Sequence, residues 1–249
     1  MLEIADRDGV RTIRIHHGKA GALDLELCDA LAAAFRDAAS ARAVILTGTG
    51  RIFSAGVDLP RVLEGGDAYT RRFLPAMDAC FRALFTLERP VVAAINGHAI
   101  AGGCILACAC DARLMVEADA TIGAPELVVG VPFPVLALEI LRLAGGDALV
   151  RRLTIGGGNM AGPEAHRTGL VDRLVPSADL EAAAHAEARR LAGIPAASFS
   201  LVKRQLRLPA MERTDALKEH DAKVEMAWCT PDVRARIASF VERTLGRKG

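Results

Sequence analysis

Apolar and polar residues alternate with a period of two along Val10-Arg11-Thr12-Ile13-Arg14-Ile15, which predicts a strand with one buried face. The period then lengthens. Leu27, Leu31, Phe35 and Ala38 recur at helical spacing behind Asp24, a residue type that caps helix N-termini. Ala43-Val44-Ile45-Leu46 is a short apolar run ending in Gly48-Thr49-Gly50, and Phe73, Met77, Phe81 and Leu84 mark the next helix. Val91-Val92-Ala93-Ala94-Ile95 repeats the theme, running into Asn96-Gly97 and a small-residue helix that opens near Gly102-Gly103. Leu114-Met115-Val116, Thr121-Ile122 and Leu170-Val171-Asp172-Arg173-Leu174-Val175 read as further strands, the last after a helix stop at Gly169. Strands that alternate with helices in this way predict an α/β fold.

From about Asp179 the strand signals stop and an alanine-rich amphipathic pattern runs through Leu191, Leu201, Leu217, Trp228 and Phe240. Pro195 and Pro209 punctuate it, and Thr230-Pro231-Asp232 supplies a cap, a first-turn proline and an early acid for a last helix. The expectation is an α/β core over residues 1–178 and three or four helices over residues 179–249.

The chain has 249 residues, 51% hydrophobic, enough for a substantial core in one compact domain. A formal charge of +1 gives no general attraction to nucleic acid or an anionic membrane, so an anionic ligand must be held locally. In the tail, Lys203, Arg204, Arg207, Arg213, Lys218 and Lys223 are interrupted by Glu212, Asp215, Glu219, Asp221 and Glu225, which reads as a mixed, solvated helix face rather than an RNA site. The N-terminus lacks a signal-peptide pattern, and the uncharged run between His98 and Asp111 is too short for a membrane span, so a cytoplasmic protein is expected. Cysteines 28, 80, 104, 108, 110 and 229 lack C-x-x-C spacing and read as free, buried thiols, with no metal expected.

Several familiar sites are missing from the sequence. Gly48-Thr49-Gly50 follows a strand but has Phe53 where a dinucleotide fingerprint needs its third glycine, and there is no P-loop, H-E-x-x-H or G-x-S-x-G. Two glycine-bearing turns remain, Phe53-Ser54-Ala55-Gly56-Val57-Asp58-Leu59 and Asn96-Gly97-His98-Ala99-Ile100-Ala101-Gly102-Gly103. Each follows an apolar strand and can present backbone N–H groups to developing negative charge.

Together these two turns resemble the paired motifs of the crotonase (enoyl-CoA hydratase/isomerase) superfamily. Cys110-Asp111, Ile122-Gly123-Ala124-Pro125-Glu126 with Gly130, and Ala165 through Gly169-Leu170-Val171 extend the likeness over nearly the whole chain. The resemblance implies a spiral of ββα repeats with a helical C-terminal region that covers the active site and assembles trimers, often paired into hexamers. It implies an acyl-coenzyme A thioester as substrate, with coenzyme A as part of that substrate and no further cofactor. By the same match, the Val57 and Gly102 N–H groups form an oxyanion hole for the thioester carbonyl. Lys19 and Ala20 match the stretch that runs along the nucleotide, although Gly21 stands where many relatives have asparagine. Ala55, Gly56, Asp58, Gly103, Ile105 and Phe240 complete the expected substrate-side set, with Asp58 read chiefly as a local brace of its turn.

The chain departs from the hydratase pattern at one telling place. Hydratases of this superfamily use two glutamates to hold and deprotonate water, and here Ile105 occupies the first of those positions while Glu126 occupies the second. The pattern is similar to that of Δ3,Δ2-enoyl-CoA isomerases, in which one carboxylate moves a proton. Hydratase, thioesterase or decarboxylase chemistry, or an RNA-binding or inactive homologue, are the alternatives. Pro132-Phe133-Pro134 replaces a glycine-rich stretch and implies a reshaped acyl pocket, and Ala101 replaces a common glycine. Glu139 and Arg142 read as an i, i+3 polar pair, His98 as a hydrogen-bonding turn residue, and His16 and His17 have no evident partner.

Overall fold

The computed structural model describes residues 1–245. In chain order the elements are β1 (Leu2–Arg7), β2 (Val10–Ile15), α1 (Leu25–Asp37), β3 (Ala43–Thr47), β4 (Ile52–Ser54), α2 (Leu59–Phe85), β5 (Val91–Ile95), β6 (His98–Ile100), α3 (Gly102–Cys108), β7 (Ala112–Val116), β8 (Thr121–Gly123) and α4 (Glu126–Val129). There follow α5 (Val135–Thr154), β9 (Asn159–Ala161), α6 (Gly162–Arg167), β10 (Arg173–Val175), α7 (Leu180–Ala192), α8 (Ala196–Ala216), α9 (Lys218–Trp228) and α10 (Pro231–Leu245).

From β3 to β8 successive strands go alternately to two sheets. One sheet has the order β1-β2-β3-β5-β7-β10 and the other β4-β6-β8-β9. The first unit places both β1 and β2 in the larger sheet, and the units β3-β4-α2, β5-β6-α3 and β7-β8-α4 each give one strand to each sheet and then a helix, which is the spiral that the motif resemblance implies. Every residue of β3, β5 and β7 is buried, as expected for parallel strands covered on both faces, and α7 packs across all three. Phe35, Phe53, Phe73, Phe81 and Phe85 are fully enclosed beside them.

Asn96-Gly97 joins consecutive units. Asn96 donates to the carbonyls of Gly50 and Ile52 at 3.0 and 3.2 Å, and its side-chain oxygen accepts from the Gly48 N–H at 2.8 Å. A Cβ on Gly97 would lie 1.8 Å from the Arg51 carbonyl oxygen, so only glycine lets the two turns meet. Asp24 caps α1 by accepting from the Leu27 N–H at 2.7 Å.

The structure adds strands that the sequence pattern does not show and corrects other readings. Strand β1, exposed along most of its length, carries no buried alternation to betray it, and β4, β6 and β9 span three residues each, too few for a period. Of the strand expected over residues 170–175 only Arg173–Val175 pairs, with β7, while Leu170 and Val171 are buried in the preceding turn. Pro209 does not end a helix but lies inside α8, whereas Pro195 and Thr230 stand at the expected starts of α8 and α10.

The charged tail is not uniformly solvated. Lys203 and Arg207 are buried and donate to the two oxygens of Asp111 at 2.6 and 2.7 Å. Lys203 also donates to the Arg89 carbonyl at 2.7 Å, and Arg207 to the carbonyls of Phe85 and Ala109. Burial pulls the Lys203 pKa down to about 8, against the pull of Asp111. Glu139 is likewise buried and accepts from Arg142, as the spacing predicts, and from Arg213 at 2.7 Å. Ion pairs thus hold α8 to the core. Among the described residues, no helix is long and apolar enough to cross a membrane.

Candidate active site

The second sheet positions the site. Strands β4, β6 and β8 run parallel, with Ser54 beside Ala99 and Ile100 beside Gly123, so their C-terminal ends lie side by side. The turns that follow are Ala55–Asp58, Ala101 before α3, and Ala124-Pro125 before Glu126.

In the first turn Leu23 pairs with Val57 as an isolated parallel bridge, its N–H donating to the Gly56 carbonyl at 2.7 Å and its carbonyl accepting from the Asp58 N–H at 2.9 Å. In such a bridge the flanking residues make the bonds, and the Val57 N–H points the other way. Among the described residues it donates to no protein acceptor. Gly56 has φ 81°, and a Cβ there would lie 2.7 Å from both the Ala101 Cβ and the Ile100 carbonyl oxygen. The Asp58 carboxylate accepts from the Arg61 N–H at 3.0 Å and caps α2.

In the second turn the Ala101 N–H donates to the Gly123 carbonyl at 2.7 Å, extending the sheet by one residue. The backbone then reverses at Ala101, which has φ 52° and ψ −125°, and Gly102 opens α3. As the first residue of the helix, Gly102 has an N–H without an intrahelical acceptor.

The third turn delivers Glu126 as the first residue of α4. The residue keeps some exposed surface, yet its Oε2 is cut off from solvent and has no hydrogen-bond partner. Burial pushes its pKa up to about 8, opposed by a hydrogen bond from its own backbone N–H.

These turns line a partly open cavity of about 80 Å³. Ala55, Val57, Ile100, Ala101, Pro125 and Glu126 come from the turns, Leu59, Val129 and Val131 from beside them, and Trp228 and Phe240 from the C-terminal helices. Among the described residues, Glu126 is the one lining residue with an ionisable side chain. A carbonyl held by the first two turns would meet two N–H donors, with a proton acceptor on the third.

The structure brings Ala55, Val57, Glu126 and Phe240 together around this space, with the backbones of Gly56 and Gly102 immediately behind. Gly103 is buried against Ser54, and Ile105 is buried within α3, so neither lines the cavity. Lys19 is exposed, while the Ala20 carbonyl accepts from the Ala55 N–H at 3.0 Å, tying that loop to the first turn. Gly21 has φ 54°, a conformation that glycine and asparagine both tolerate.

His98 Nδ1 lies 3.1 Å from the Thr121 hydroxyl and accepts from the Thr121 N–H at 3.2 Å. The two histidines without evident partners find them in the fold, His16 on Glu3 and His17 on Asp24. Trp228 escaped the sequence reading, because its helical spacing marks it only as an apolar tail residue. Among the described residues, no cluster of three or more His, Cys, Asp or Glu side chains is placed to hold a metal ion.

The sequence model of the enoyl-CoA hydratase/isomerase family matches residues 5–246. The chain belongs to that family, within the crotonase superfamily. It is 35% identical over 208 residues to a putative enoyl-CoA hydratase of Thermus thermophilus, covering 81% of each chain. Over 249 residues it is 29% identical to a 4-chlorobenzoyl coenzyme A dehalogenase of an Arthrobacter species, covering 96% of this chain and 90% of the relative. Its fold superimposes on human mitochondrial delta3-delta2-enoyl-CoA isomerase with a TM-score of 0.94 at 25% identity, covering 100% of this chain and 99% of the other.

Proposed function

We propose that this family member is an enoyl-CoA isomerase that moves a double bond from the 3- to the 2-position of an acyl-coenzyme A thioester. The observation that carries the reading is the lone shielded carboxyl of Glu126 in an otherwise apolar cavity. In its ionised form Glu126 takes a proton from C2 of the 3-enoyl thioester. The electrons move toward the thioester oxygen, giving a dienolate that the Val57 and Gly102 N–H groups stabilise. Such donors are worth about 3–4 kcal/mol each at other oxyanion sites. Return of the same proton to C4 completes the shift and leaves the carboxylate as it began. No cofactor enters beyond the coenzyme A of the substrate.

A carboxyl whose pKa lies near the working pH suits a group that must both accept and return a proton. Water addition needs a second group to position the water, and Ile105 supplies none. Hydration is the second reading, favoured by the 35% identity to a relative described as a putative hydratase. Incubation of the purified protein with 3-enoyl- and 2-enoyl-CoA separates the two. Isomerisation should be fast and hydration slow, and rapid hydration with no isomerisation would reverse the assignment. The assembly expected is a homotrimer or a pair of trimers, which would bury exposed Leu201, Val202, Leu206 and Leu208 of α8 and is measurable by light scattering.

A further inference from the structure

Trp228 lines one space, and its hydrogen-bond partner Pro132 and chain neighbour Ala227 line another. The first is the cavity of about 80 Å³ that holds Glu126, and the second a groove of about 760 Å³ with an apolar wall of Phe133, Val135, Leu138 and Val224 and a charged one of Glu139, Arg142, Asp147 and Arg213. His220 and Lys223 are exposed at the rim of that groove.

Chain neighbours divide at this wall. Val131 and Trp228 face the cavity, whereas Pro132, Phe133 and Ala227 face the groove. The seam is closed by the indole Nε1–H, which donates to the Pro132 carbonyl at 3.1 Å. Trp228 is 2% exposed, so packing and this bond together hold the indole in one orientation.

The cavity is small for an acyl chain. A water in the liquid occupies roughly 30 Å³, and a methylene group is of that size, so the cavity admits about three such units. With the thioester carbonyl at Val57 and Gly102, carbons C2 to C4 use up that space, and the next carbons meet its walls, in which Trp228 is the largest side chain.

We propose that Trp228 is the chain-length stop of the acyl site, restricting the enzyme to short thioesters of about four to six carbons. The Pro132-Phe133-Pro134 segment braces the stop through the Pro132 carbonyl. Removal of the indole opens the cavity toward that groove along its apolar wall of Phe133, Leu138 and Val224 and gives a longer tail somewhere to go. The inference rests on the acyl-thioester reading of the site.

The test is kcat/KM for 3-enoyl-CoA substrates of four, six, ten and twelve carbons, with the wild type, Trp228→Ala and Trp228→Leu. Wild-type kcat/KM is expected to fall at least about tenfold between six and ten carbons. In the variants the twelve-to-four-carbon ratio of kcat/KM should rise at least about tenfold. A wild type that handles twelve carbons as well as four overturns the proposal, whether or not either variant folds. A folded variant with an unchanged length profile also overturns it. If no enoyl thioester of any length is turned over, the isomerase reading fails separately. The stop is then read from dissociation constants of saturated butanoyl- and dodecanoyl-CoA. Wild type that prefers dodecanoyl-CoA overturns it, and a preference that shifts toward dodecanoyl-CoA only in the variants supports it.

Discussion

Gly56 and Ala101 stand back to back between the two N–H donors, and a Cβ on Gly56 would lie 2.7 Å from that of Ala101. Gly56→Ala must also hold alanine at φ 81°, so we expect a loss of roughly 2–4 kcal/mol in urea unfolding. Turnover should fall about a hundredfold, because a shift of about 1 Å in the Val57 N–H is enough to misalign it. Ala101→Gly relieves the φ of 52° and should gain up to about 1 kcal/mol with activity kept. The two changes combined should recover part of the Gly56→Ala loss, and strict additivity would mean that the contact does not matter.

Asp111 joins the C-terminal helices to the core through a buried charge cluster. Asp111→Ala leaves Lys203 and Arg207 as buried cations without their carboxylate, and removal of one partner of a buried pair costs about 3–5 kcal/mol. A drop below about 1 kcal/mol in denaturant unfolding would show that water replaces the carboxylate there.

That cluster shows where sequence reading stops. Lys203 and Arg207 lie among alternating charges, and their partner is 92 and 96 residues away, so nothing local distinguishes them from solvated neighbours such as Arg204. Trp228 is hidden for the same reason, since the carbonyl that fixes it is 96 residues distant. The turns were legible because they need special backbone chemistry. Gly97 and Gly56 leave a mark in the sequence wherever two chains must approach without a Cβ, and Asp24 and Thr230 announce helix starts. The second sheet was less visible, because three-residue strands such as β4 and β6 are held by their register with neighbours rather than by a period. Glu126 became legible only through the order of motifs around it, as an isolated glutamate carries no signal of burial.

Ile105 tests the single-carboxylate reading. It is 1% exposed within α3, so Ile105→Glu places a carboxylate in an apolar surround and should cost several kcal/mol, with its pKa driven upward. The informative measurement is on the wild type. Loss of the conjugated thioester absorbance with 2-enoyl-CoA should be at least about a hundredfold slower than isomerisation of the matching 3-enoyl-CoA, the scale of one missing acid–base group. Equal rates would show that the site activates water with no carboxylate at 105.

Glu126 couples activity and stability to pH in opposite senses. Burial holds its carboxyl at a pKa of about 8, against an ordinary value of 4.5. Between those values the folded chain keeps a proton that the unfolded chain has released, so stability is greatest at the acid end of this window and falls as pH rises toward about 8. Every tenfold gain in proton affinity corresponds to about 1.36 kcal/mol, and the whole swing amounts to a few kcal/mol. Glutamine has no such proton to lose. Glu126→Gln should therefore match the wild type near pH 4.5 and exceed it by roughly 2–4 kcal/mol near pH 9, as read from urea unfolding at both pH values. Catalysis runs the other way, because only the ionised carboxylate can take the C2 proton. Wild-type kcat/KM should climb with pH and level off above about 8, while Glu126→Gln loses about 10²–10⁴ in kcat and keeps its affinity for saturated acyl-CoA. A variant that isomerises at the wild-type rate would remove Glu126 from the mechanism. One that is inactive without the gain in stability at high pH would keep it there and show that its carboxyl is not held protonated by burial.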